Sequence, residues 1–107
     1  MYGSYFWDCY NSQSVEVKKK IDWTVNLVRC LRMIPEKYFK HIEGTKGLYE
    51  IRVEVGSNIF RFFAFFDSGN VVVLGNGFQK KTQKTPKAEI ELAKRIMADY
   101  FNDKLLK

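Results

Sequence analysis

The stretch LYEIRVEVGSNIFRFFAFF (48–66) restricts the fold more than any other part of the chain. Tyr49, Ile51, Val53 and Val55 alternate with Glu50, Arg52 and Glu54, a period of two that belongs to a strand with one apolar and one charged face. Gly56 and Ser57 put glycine first in a two-residue loop, as a type II′ hairpin turn requires, and residues 58–66 supply the returning strand. Counting back from that loop sets Val55 opposite Asn58, Val53 opposite Phe60, Ile51 opposite Phe62 and Arg52 opposite Arg61. Like charges directly across a ladder repel, so this register demands a compensating group.

The remaining elements arrange themselves around that hairpin. Val17, Ile21, Thr24, Val28 and Leu31 recur at spacings of four and three, which predicts an amphipathic helix with Ser14 as N-cap and Pro35 as its stop. A second short helical turn is expected in PEKYFKHIEG (35–44), and residues 3–14 read as a short helix or an extended arm. After a turn at DSGN (67–70), VVVLGNGF (71–78) makes a third strand. A loop of two or four residues sets Asn76 opposite Arg61 and puts Asn76, Phe78 and Lys80 on the arginine face; a three-residue loop or a bulge moves them to the other side. Thr85 and Pro86 read as N-cap and first residue of a last helix, lined on one side by Ile90, Ala93, Met97 and Tyr100. The expected fold is α+β: N-terminal helices on an antiparallel meander of three to four strands, then a C-terminal helix, in one domain over residues 1–107.

Composition narrows the partners. Lys and Arg outnumber Asp and Glu by 18 to 12, a net charge of +6 that favours polyanions. The excess collects in QKKTQKTPK (79–87), which holds four lysines and no acid, and for which a solvated lysine-rich loop is the plainer reading. Cys9 and Cys30 lack the spacing of a disulfide framework or a metal site and are expected to be reduced. His41, the only histidine, has no second ligand nearby, so neither a metal nor another cofactor is expected. With no leader and no apolar run near the roughly 18–20 residues of a membrane span, the cytoplasm is the expected location, without a membrane partner.

Guanidinium and ammonium groups gathered in one concavity suit a phosphodiester. Phe78 beside them would stack on a base or belong to the core. A surface lattice of ion pairs among Arg52, Arg61, Glu50 and Glu54 is the alternative, and exposed pairs of that kind contribute only about 0–1 kcal/mol each.

GLYEIRV, IFRFF, GFQKKTQKTP and EIELA, in this order within residues 47–100, resemble the RelE/ParE toxin superfamily and most closely its HigB-like, phage-derived branch. The resemblance implies the toxin of a type II toxin–antitoxin pair, a ribosome-dependent mRNA endonuclease working without a metal. Its implied partners are a helix-turn-helix, HigA-like antitoxin, the ribosome and mRNA. It carries catalytic roles to Arg61, Lys80 and Lys81 and matches Arg52 to the basic residue of the first strand; Asn76, Phe78, Lys84 and Lys87 complete the expected RNA contacts. ParE-like cousins instead poison DNA gyrase by binding, and the fold does not choose between the two. Many relatives carry a histidine or tyrosine for proton transfer near the last strand or helix, but none lies between Gln79 and Asp99 here. The acid and base therefore stay unassigned: a lysine whose pKa is depressed by neighbouring cations is one candidate base, and Glu50 is another.

Overall fold

A computed structural model describes residues 4–30, 33–68, 71–81 and 85–105; Leu31, Lys84 and the second half of the 67–70 turn lie outside them. Helices α1 (Tyr5–Asn11) and α2 (Val15–Cys30) precede strands β1 (Phe39–His41), β2 (Leu48–Val55), β3 (Asn58–Asp67) and β4 (Val71–Lys80), and α3 (Lys87–Leu105) follows. The strands form one antiparallel sheet in the order β1-β2-β3-β4. The architecture is the expected α+β arrangement.

Alternation along β2 and β3 feeds two cores, one on each side of the sheet. Ile51, Val53, Phe60, Phe62 and Ala64 pack with Phe6 of α1 and with Val17, Ile21 and Val28 of α2. Leu48, Phe63, Phe65 and Val73 face the other way and pack with Ala93, Ile90, Met97 and Tyr100 of α3. Ser14 caps α2 as expected, its hydroxyl accepting from the Val17 N–H at 3.3 Å. Thr24 sits fully buried on the apolar stripe of α2, and its hydroxyl donates to the Lys20 carbonyl at 2.8 Å, so no polar group is orphaned there.

Three expectations change. Segment 35–44 is not a helical turn throughout: the Tyr38 and Phe39 amides bond the Pro35 carbonyl, closing one turn, and the chain then becomes edge strand β1 with Phe39 opposite Ile51. Burying Phe39 against the sheet outweighs continuing a helix that Gly44, at φ +79°, would soon end. At α3, the Pro86 carbonyl accepts from the Glu89 and Ile90 amides and Lys87 begins the helix, so Thr85 does not cap it; the Thr85 hydroxyl is bonded to Glu50.

The third change concerns register. β2 and β3 pair as counted, with Arg52 opposite Arg61, and Gly56 takes φ +60° as the first loop residue. Between β3 and β4, Asp67 pairs with Val71, which leaves a three-residue loop, and a bulge sets Gly75 and Asn76 against Phe63 alone. Each irregularity shifts the pairing by one and their parities cancel. Phe78, rather than Asn76, lies opposite Arg61, and Lys80 lies opposite Ile59, both on the arginine face.

Candidate functional site

Arg52 and Arg61 face each other on the side of the sheet that carries α3. The compensating group is Glu50. Its Oε1 accepts from the Arg52 Nε at 3.1 Å and stands 3.5 Å from the Arg61 Nε, while Oε2 accepts from the Thr85 hydroxyl at 3.1 Å. Glu50 is 6% exposed and Arg61 5%, so this is a buried cluster rather than a surface lattice. One carboxylate shared by two guanidinium groups leaves net positive charge in a low-dielectric setting, where field strength is greatest.

Arg61 is only partly satisfied within the cluster. Its Nη1 donates to the Phe60 carbonyl at 3.1 Å, but its Nε–H, though within ion-pair range of Glu50, completes no hydrogen bond. Burial, and then the Arg52 charge, push its pKa down while Glu50 and Glu54 oppose them. Arg52 is more open, and its Nη1 also reaches the Glu36 carbonyl at 3.4 Å.

Lys80, half-buried at the end of β4, joins this field. Burial depresses its ammonium pKa first; Arg61 and Arg52 add to the effect, and Glu50 works against it. An amine so placed loses its proton more readily than a free lysine.

The other expected site residues take different positions. Phe78 stands across from Arg61, yet its ring stacks on Phe63 with centroids 5.8 Å apart, within the core under α3. Asn76, 4% exposed in the bulge, donates from Nδ2 to the Glu89 main-chain and side-chain oxygens at 3.2 Å, tying β4 to the start of α3. Lys81 is exposed just beyond β4, Lys87 is the exposed first residue of α3, and Lys84 lies outside the described residues. The sequence pattern brings the 80–85 backbone toward the arginines and casts Thr85 as a helix cap, with no signal for its hydroxyl as a partner of Glu50. Glu50 was legible as a neighbour of the arginines but not as the group that holds both.

Residues 9–98 match the family described as phage derived protein Gp49-like (DUF891). The chain belongs to that family. Gp49-like proteins form a RelE/HigB-like toxin family associated with toxin–antitoxin pairs, so membership brings an antitoxin partner with it. No curated protein matches this Gp49-like chain. Among the described residues, no helix is long and apolar enough to cross a membrane.

Proposed function

We propose that this Gp49-like protein is a HigB-like endoribonuclease that cuts mRNA on the translating ribosome and is held in check by a helix-turn-helix, HigA-like antitoxin. The observation that carries the reading is that Arg52, Arg61 and Lys80 share one face of the sheet with a single buried carboxylate among them. In the reaction, the 2′-oxygen loses its proton and attacks the adjacent phosphorus, the 5′-oxygen leaves and takes up a proton, and a 2′,3′-cyclic phosphate forms. The extra negative charge on the phosphorane is what the protein must stabilise, and a well-placed donor commonly contributes about 10²- to 10³-fold.

Arg52 and Lys80 meet the phosphate from the open side, while Arg61 acts from beneath through its charge. Lys80 is the base, for which its depressed pKa prepares it. Lys81, Lys84 and Lys87 hold flanking phosphates by their charge. The test is purified protein added to ribosomes programmed with a defined mRNA. Cleavage in the decoding site that survives EDTA and disappears in Arg61→Met supports the reading; intact mRNA at stoichiometric toxin refutes it. A gyrase poison would leave the mRNA intact and alter DNA supercoiling instead.

A further inference from the structure

We infer that Glu50 is a positioning residue: it fixes the two facing arginines in one orientation and ties the segment leading into α3 onto the arginine face. The inference rests on the endonuclease reading for its catalytic consequence, but its structural part stands on geometry alone. Both carboxylate oxygens are engaged, Oε1 by the Arg52 Nε at 3.1 Å with the Arg61 Nε at 3.5 Å, and Oε2 by the Thr85 hydroxyl at 3.1 Å. Three elements therefore meet at one side chain: β2 through Arg52, β3 through Arg61, and the approach to α3 through Thr85.

Both carboxylate oxygens already accept a hydrogen bond within the cluster, which suits an ordering role. What Glu50 supplies is order. Without it, two guanidinium groups across a ladder would repel and turn apart. The approach to α3 would also lose its tie to the sheet at Thr85. Asn76, bonded to Glu89, fastens the same junction from the β4 side.

Glu50→Gln keeps the size of the side chain and removes its charge. In the folded variant, kcat for ribosomal mRNA cleavage should fall on the order of 10²-fold, as expected of misplaced reacting groups, while KM stays level or drops because a negative charge has left the site. The pH–rate profile adds a readout that a scaffolding role would not move. Glu50 raises the Lys80 pKa against burial and the charges of Arg61 and Arg52, so its loss should shift the acid limb to lower pH. Thr85→Val removes only the tether, and should reduce kcat by about tenfold with the limb unmoved.

Wild-type kcat and an unshifted limb in folded Glu50→Gln would overturn the inference, as would wild-type kcat in Thr85→Val. The Arg52 Nε–Hε signal in NMR decides the structural part even if Glu50→Gln folds poorly or the wild-type protein cuts no RNA. In the wild type, the Arg52 signal, whose N–H bonds to Glu50, should be protected from exchange, with slower exchange than in Thr85→Val. A fast-exchanging signal in the wild type, or equal protection in Thr85→Val, overturns it independently of the endonuclease reading.

Discussion

Gly77→Ala tests the β3–β4 register directly. Gly77 lies opposite Phe62, and a Cβ built on it would fall onto Cδ1 and Cε1 of that ring and come within 3.2 Å of its Cγ. Ordinary carbon contacts sit at about 3.5–4.0 Å, so the overlap requires the ring or the strand to move. Neither does so cheaply. Phe62 is fully buried between Phe6 and the rest of the helix-side core, and Gly77 is held in the ladder next to the bulge. Overpacking a well-filled core costs typically 1–3 kcal/mol, and a clash with two rigid partners belongs at about 3 kcal/mol. For a domain of this size that lowers Tm by roughly 12–15 °C. The assay is thermal and urea unfolding of Gly77→Ala, Phe62→Leu and the double variant. A leucine gives the new methyl room, so the double-mutant cycle should show a favourable coupling of at least about 1 kcal/mol. A Gly77→Ala protein within about 0.5 kcal/mol of wild type, or additive effects in the cycle, would mean that Gly77 does not face Phe62 and that the route placing Phe78 and Lys80 beside the arginines is wrong.

Other outcomes follow from the charged groups. Lys80→Met should raise Tm slightly while abolishing cleavage, because the depressed Lys80 pKa means that its charge is disfavoured in the fold; calorimetry beside a cleavage assay checks both. The destabilisation due to Lys80 is full below its folded pKa and fades as pH rises toward the unfolded value, so the stability difference between wild type and Lys80→Met should shrink at alkaline pH. Asp67 accepts from Lys104 at 2.7 Å and from Tyr100 at 2.6 Å, and these bonds hold its pKa below the usual carboxylate range. Its contribution is present above the unfolded value of about 3.9 and is lost as pH falls through the lower folded value, so Asp67→Asn should flatten the acid slope of the stability curve, read by denaturation between about pH 2 and 5. Arg61→Met, similar in length and uncharged, should stay folded by circular dichroism and relieve growth arrest when expressed.

Local pattern carried much of this fold. The period-two run at 48–55, the Gly56–Ser57 loop and the 3.6-residue stripe of α2 each specify their element without help from the rest of the chain, and the first hairpin register follows from them. β1 was hidden because three residues are too few to show a period and Pro35 does begin a turn. The bulge left a trace in Gly75-Asn76-Gly77, two glycines bracketing a polar residue inside a strand, but only the loop length together with the bulge determines which face Phe78 takes. Arg52 and Arg61 were legible as a pair because register alone sets them face to face. The Thr85 bond to Glu50 was not, since it depends on where the chain returns after the lysines, a long-range placement that no spacing encodes. Lys81 owed its expected role to family resemblance rather than to register.

Mapping of mRNA 5′ ends across the transcriptome after brief induction, for wild type and Arg61→Met side by side, decides whether the arginine face cuts RNA. New 5′-hydroxyl ends inside translated reading frames, absent upstream of start codons and absent in the variant, are the predicted result. Growth arrest with transcripts whole, or cuts that persist undiminished in Arg61→Met, would contradict the assignment of RNA cleavage to the arginine face.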